Sequence, residues 1–448
     1  MIETLLLIIF LILVIFKIMG DIYLFQIKEY RSDRIAASIH DVGFVQTFIT
    51  FKKMPAKTLR NALTLLFSIG LLLFYCVVVT PFKILLFLSV LLFPFIAFAI
   101  VYISVLISGI MAGIKRALII NKAQKLLSRS KTTVIGITGS YGKTTTKEYL
   151  FHILSQKYRV AKTDENMNTD VGVALSVIKN LKEDTQYFIA EMGAYRKGEI
   201  KKICNLIHPT YAILTAFGNQ HVDLFGSKNN LIAAKKELLL SLPSTGKAYI
   251  NLDTVDKASV SEDINAQKYF FSNDNVLPFK LDLDDEIIKP NLISCFTLAI
   301  DLGMNKQEII QAIASLKTLN NRLALKPGIN KSTVINNSYN TSVESFIHSI
   351  ELLQKINKKK KYIISRGIIE LGYEKQKSYE RILHVLAKSD VSLFTTDEDF
   401  IKPSISNVHY FKNESILSST ILKMVGENSV VLFEGKYDKK VITSVLLI

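Results

Sequence analysis

Three apolar runs dominate the first 112 residues: about Thr4 to Met19, about Asn61 to Thr80, and about Ile84 to Ile110. A helix needs about 20 apolar residues to cross a bilayer's hydrocarbon core. The second run has that length and the third has residues to spare. Each Leu, Ile, Phe or Val favours insertion by about 0.3–0.6 kcal/mol, whereas a central charge costs about 2.5–3.5 kcal/mol. Neither run holds a charge, so both are predicted to span. No polar face interrupts them, which argues against a buried hairpin in a soluble core. The first run lacks a basic start (Met1-Ile2-Glu3) and has no small-residue cleavage site before Gly20. Lys17 follows its apolar stretch rather than preceding it, so an uncleaved anchor is expected rather than a signal peptide.

Cations flank the runs unevenly. Lys28, Arg31, Arg34, Lys52, Lys53, Lys57 and Arg60 lie between the first and second, and Lys115, Arg116, Lys122 and Lys125 follow the third. The connection Pro81-Phe82-Lys83 carries Lys83 alone. The positive-inside rule then places residues 20–60 and everything after about 112 in the cytoplasm, with the N-terminus outside. A multi-pass protein of the cell (inner) membrane is expected.

The remaining chain has another rhythm. Thr132–Thr138 (TTVIGIT) reads as a short β-branched strand. It runs into Gly139-Ser140-Tyr141-Gly142-Lys143-Thr144-Thr145-Thr146 and then a helix predicted to begin near Lys147. Strand, glycine-bearing turn, Lys-Thr and helix are the context of a phosphate loop. Its backbone N–H groups and helix N-terminus attract phosphate oxygens. Lys143 would reach the β/γ-phosphates and Thr144 would ligate Mg²⁺. The strict pattern wants Gly at 137, where this chain has Ile. Cytoplasmic placement puts such a site where ATP is available.

Two further strands follow. Gln186–Ala190 leads into Glu191-Met192-Gly193, and Tyr211–Thr215 leads towards His221. Ligands of open α/β sheets bind outside the carboxyl ends of parallel strands. Lys143, Glu191 and His221 all fall there, and a carboxylate and an imidazole beside a triphosphate make sense as divalent-metal ligands. Taken singly, Glu191 reads more simply as a helix cap and His221 as a loop histidine; their shared position at strand ends is what favours the metal role.

Composition bounds the picture. The 448 residues imply two or three domains. Hydrophobic residues make up 49% and charged residues 21%, with a mean hydropathy of +0.28. A positive average is unusual for a soluble protein. Lys and Arg number 55 against 39 Asp and Glu, a net +16. A chain rich in Lys, Ile and Asn throughout accounts for most of that excess, so no nucleic-acid partner is expected. Cys76, Cys204 and Cys295 form no CxxC pair, which argues against a disulfide framework or a cysteine zinc site.

Several spaced motifs carry a family resemblance. They are Gly136–Thr145, Asn166–Val173, Glu191-Met192-Gly193-Ala194, Gly198-Glu199-Ile200, Gly218–Ser227, Ala234–Glu237, Asn321-Arg322 and Asn337-Ser338-Tyr339-Asn340. From Val134 to about Leu352 the chain resembles the Mur ligases, ATP-dependent amide ligases of cell-wall precursor synthesis, most of all their MurF branch. Beyond that it matches weakly, through Ile369–Gly372.

The resemblance implies an α/β fold: a central P-loop ATPase domain, here 113–318, and a C-terminal Rossmann-like domain, 319–448, after a membrane segment, 1–112. It implies ATP and Mg²⁺ as cofactors. Gly139, Ser140, Gly142, Lys143, Thr144 and Thr145 would hold phosphate. Thr144 and Glu191 would hold one Mg²⁺ and His221 a second. Lys235 falls where the family carries a carbamylated lysine, although alone it reads as a helical surface lysine beside Lys236. Arg322 would reach phosphate from the C-terminal domain, and Asn251, Asn291 and Asn337 would lie by the nucleoside. Lys143, Lys235, His221 and Arg322 would carry catalysis. Two departures bear on the nucleoside pocket: Asn336-Asn337 where the MurF branch usually has two acidic residues, and Pro290 where a His usually precedes Asn291.

The implied partners are a muramyl-peptide-like acceptor, UDP- or lipid-linked, an amino acid or dipeptide amine donor, and membrane lipid. Membrane helices stand where the family's UDP-binding domain would be. The alternatives are a Mur-like ligase with another acceptor and a nucleotide-binding membrane scaffold without catalysis.

Overall fold

The computed structural model describes residues 2–28, 30, 35, 53–217, 225, 227–275, 277, 289–316, 325–338, 341–368, 375–401, 405–435, 437 and 442. The chain divides into two compact units, Met1–Ile119 and Ile120–Ile448.

The first unit is helical: α1 (Ile2–Ile27), α2 (Leu59–Val79), α3 (Lys83–Leu91) and α4 (Phe93–Arg129), which runs past the unit's end. Within it, Leu7–Ile27, Leu59–Val79 and the helix Phe93–Arg129 are long and apolar enough to cross a membrane. Phe10, Val14, Ile18, Ile22 and Phe25 pack with Leu72, Ala97, Ile100, Val101 and Val105. Leu66, Leu73, Phe74 and Val77 of α2 stay exposed.

Two details differ from the sequence reading. The third run is not one helix. It breaks at Leu92 because Pro94 has no N–H to donate and disfavours helical backbone before it. The first helix also runs on to Ile27, carrying Lys17 and Asp21 inside it, buried and ion-paired one turn apart. Other polar groups here also pair: Thr64 with Ser108 at 3.0 Å, Tyr75 with Ser89 at 2.7 Å, and Asn61 Nδ2 donating to Gln26 Oε1 at 2.9 Å.

The second unit holds two six-stranded sheets. The first is built from β1 (Thr133–Thr138), α5 (Lys143–Leu154), β2 (Val160–Lys162), α6 (Asp170–Asn180), β3 (Tyr187–Glu191), α7 (Glu199–Ile207), β4 (Tyr211–Leu214), α8 (Lys228–Leu240), β5 (Lys247–Asn251), α9 (Lys257–Ser261) and β6 (Gln267–Phe271). The helices α10 (Lys289–Asp301) and α11 (Lys306–Ser315) complete it. The strand order is β2-β3-β1-β4-β5-β6, all parallel. Its strands are apolar on both faces, as sheets covered by helices are. Ile135, Ile137, Ile189, Ile213 and Tyr249 meet Leu150, Ile153 and Leu298 in one core. The chain reverses its direction of winding around β1, which makes the carboxyl end of β1 the expected ligand position. The polar stretch after β5 contributes the short α9 and the edge strand β6.

The second sheet is built from β7 (Leu325–Pro327), β8 (Thr333–Asn337), α12 (Val343–Lys355), β9 (Lys360–Ser365), α13 (Lys375–Leu386), β10 (Val391–Thr395), β11 (Val408–Tyr410), α14 (Glu414–Met424) and β12 (Ser429–Glu434). Its order is β11-β10-β9-β12-β8-β7, parallel except for β7. The mixed α/β architecture with parallel sheets agrees with the fold class read from the sequence.

Candidate nucleotide and metal site

The loop after β1 is shaped by its backbone. Gly142 takes φ +80°, a conformation costly for side-chain-bearing residues, and serves as the N-cap of α5. The helix therefore begins at Lys143, four residues earlier than the sequence implied, and Lys143, Thr144 and Thr145 form its first turn. A side chain at Gly139 would meet Thr215 Oγ1 at 2.0 Å, and one at Gly142 would meet Asn291 Oδ1 at 2.8 Å. The Ser140 N–H donates to Ala216 O at 2.7 Å, and Ser140 itself is buried. The end of β4 thus holds the loop down.

Lys143 Nζ lies over the loop, donating to Gly139 O at 2.8 Å and Ser140 O at 3.1 Å. Burial lowers its pKa, partly offset by Glu191. Lys235, on α8, is no surface lysine. It is buried and donates to Gly139 O at 3.0 Å. Burial first, and the Lys143 charge second, hold its ammonium well below the usual lysine range.

Glu191 closes β3, the strand beside β1, with Ile137 paired to it in register. It does not cap a helix. Its backbone N–H donates to Thr163 Oγ1 at 3.0 Å, and its Oε1 accepts from Asn168 Nδ2 at 3.3 Å. The nearby Thr144 hydroxyl also helps hold its carboxylate ionised. Burial would raise the Glu191 carboxyl, but Lys147, Lys143 and these hydrogen bonds outweigh it and hold it low. Glu191 Oε2 is buried and accepts no hydrogen bond, although Lys147 Nζ stands 3.3 Å away. An ionised carboxylate and a hydroxyl are hard oxygen donors, the set that suits Mg²⁺.

Asn291 opens α10, where its Oδ1 accepts from Thr146 Oγ1 at 3.1 Å, so it braces the phosphate-loop helix. Asn251 ends β5, buried, its Oδ1 accepting from the Asp253 N–H at 2.7 Å. Asn337 ends β8 in the second sheet and donates to Glu434 Oε2 at 2.8 Å. His221 and Arg322 lie outside the described residues. Sequence reasoning missed Lys147, Asn168 as a partner of Glu191, and Thr215. Lys147 had a signal: it shares the buried face of α5 with Leu150 and Leu154. Burial pushes the thiols of Cys204 and Cys295 up to about 12, so neither is a nucleophile near neutral pH.

A glycine-bearing turn after β1, two lysines donating to its Gly139 carbonyl and a carboxylate at the winding reversal of a parallel sheet define a P-loop nucleotide-binding α/β domain. Residues 137–287 match the Mur ligase middle domain. The UDP-N-acetylmuramoyl-tripeptide--D-alanyl-D-alanine ligase of Bacillus subtilis (strain 168) is 25% identical over 351 residues, 71% of this chain and 76% of that protein. Its namesake from Buchnera aphidicola is 24% identical over 340 residues, 69% and 74% of the two chains. Among solved structures, MurF from Thermotoga maritima in complex with ADP superposes with a TM-score of 0.64 at 23% identity, covering 73% of this chain and 82% of that one. MurF from Acinetobacter baumannii gives 0.65 at 21%, covering 73% and 80%. The chain is MurF-like, with a stretch that matches the Mur ligase middle domain.

Proposed function

We propose that this protein is a MurF-like, ATP-dependent amide ligase of cell-wall precursor synthesis, held at the membrane by its first unit. The observation that carries the reading is the Glu191 carboxylate at the end of β3, in register with Ile137 of β1, the strand that opens into the turn covered by Lys143.

In this reading a substrate carboxylate attacks the γ-phosphorus of ATP and the bond to the bridging oxygen breaks. ADP leaves and an acyl phosphate forms. The amine of the second substrate then attacks the acyl carbon, phosphate departs, and the nitrogen loses its proton as the amide forms. Lys143 and the loop N–H groups hold the phosphates in line, so positioning and charge neutralisation do most of the work. Thr144 and Glu191 would hold the Mg²⁺, which neutralises phosphate charge when bound, and His221 is assigned a second. Lys235 is buried close to the loop, and burial favours its neutral amine, the form that takes up CO₂ as a carbamate. Arg322 is assigned to phosphate, and Asn251, Asn291 and Asn337 to the nucleoside side.

The helices Leu7–Ile27, Leu59–Val79 and Phe93–Arg129 are long and apolar enough to cross a membrane, which supports an anchored ligase with its ATP site in the cytoplasm and the acceptor presented at the membrane. The basic flank Lys115, Arg116, Lys122 and Lys125 supports this, since each cation near an anionic surface contributes about 1 kcal/mol. Offering the enzyme a UDP-linked muramyl peptide and its lipid-linked counterpart in detergent micelles tests the placement. Faster turnover of the lipid-linked acceptor is expected. Strong preference for the UDP-linked form would mean that the helices only anchor.

A further inference from the structure

Lys147 is the least explained charge in the second unit. It sits one turn beyond Lys143 on α5, its side chain wholly inside, and its Nζ makes no hydrogen bond. Burying an ammonium is expensive unless a partner compensates. Its nearest buried partner is Glu191 Oε2, at 3.3 Å, which itself accepts no hydrogen bond. The exposed Glu148 stands farther off, at 3.6 Å.

The two oxygens of Glu191 are thus held from different elements. Asn168, just before α6, donates to Oε1 at 3.3 Å, and the Asn168 carbonyl accepts the Gly193 N–H at 2.8 Å, tying that asparagine to the end of β3. Lys147 faces Oε2 from α5, and Thr144 reaches the carboxylate from the same helix's first turn. Without Lys147, one edge of the carboxylate would have no fixed neighbour, and its plane could turn about the last side-chain bond.

We propose that Lys147 is a positioning residue for the cation site: its buried ammonium fixes the plane of the Glu191 carboxylate so that this group and Thr144 present their oxygens together to a divalent cation. The inference rests on the metal role given to Glu191 and Thr144 above. Partners that orient a metal ligand are worth about 10–100-fold in affinity when removed.

The test is Mn²⁺ binding by the full-length protein in detergent, read by electron paramagnetic resonance with a non-hydrolysable ATP analogue present. Lys147→Met is expected to weaken Mn²⁺ at least tenfold while circular dichroism stays that of the parent. Lys147→Gln keeps a donor, recovers part of the affinity, and serves if the methionine variant does not fold. Unchanged or tighter Mn²⁺ binding in a folded variant would overturn the proposal. Glu191→Gln and Thr144→Val separate the two levels. If they too leave Mn²⁺ binding intact, the cation site itself is misplaced; if they abolish it while the Lys147 variants do not, only the role of Lys147 fails.

Discussion

The Thr215 hydroxyl, one residue past β4, donates to the Tyr141 carbonyl at 2.5 Å and fills the space that a side chain at Gly139 would need. A strand end thereby clamps the turn that is to wrap phosphate. Thr215→Val keeps the bulk and removes the donor. A hydrogen bond of this kind contributes about 1 kcal/mol to stability, so a small drop in melting temperature is expected, with ATP affinity falling by up to roughly fivefold. Calorimetric titration with a non-hydrolysable analogue reads it; unaltered affinity would mean that the clamp is not needed for phosphate.

Lys235 ties stability to pH. Its folded pKa lies below that of the unfolded chain, so between the two values the unfolded state binds more protons. Stability then rises with pH through that window. At neutral pH the buried amine is a cost that Lys235→Met removes, so the variant should melt higher than the parent near pH 7. The gap should shrink as pH approaches the ordinary lysine value. A gap that is flat with pH would show that Lys235 does not titrate early.

The Lys17–Asp21 pair lies within α1, both side chains buried. Removing one partner of a buried pair costs about 3–5 kcal/mol, whereas replacing both by apolar groups is often neutral or better. Asp21→Ala should therefore lower the unfolding temperature of the membrane unit in detergent by several degrees, and Lys17→Leu with Asp21→Leu should restore it. Equal melting of all three proteins would show that the pair is energetically idle.

Topology gives a further check. In a background lacking Cys76, Cys204 and Cys295, Lys83→Cys should react with an impermeant thiol reagent added outside intact cells. A cysteine placed at Lys412 should react only after lysis. The reverse pattern would invert the orientation.

Much of this was legible in the sequence where the information is local. β1, β3 and β4 announced themselves by β-branched and aromatic runs, and the phosphate loop by its glycines and Lys-Thr pair. The start of α5 was placed late because Gly142 caps it through left-handed backbone rather than a side chain. The edge strand β6 was missed because an edge needs little apolar character, and its residues are only partly buried. Asn168 and Thr215 acquire their roles from Glu191, Tyr141 and Gly139 on other elements, and no spacing along the chain records that; for Lys147 the spacing with Leu150 and Leu154 records burial but not its partner Glu191. The Lys17–Asp21 pair escaped for a different reason: Lys17 read as the end of an apolar run, yet the helix continues for ten more residues to Ile27.

The central claim is amide-bond formation driven by ATP. It is tested most directly by phosphate release from the detergent-purified, full-length protein given Mg²⁺, ATP, a muramyl tripeptide acceptor and D-alanyl-D-alanine. One phosphate per amide formed is predicted, with release requiring both acceptor and amine and lost in Lys143→Ala. Nucleotide binding without any release, under UDP- and lipid-linked acceptors alike, would contradict the account and leave a membrane-bound nucleotide scaffold.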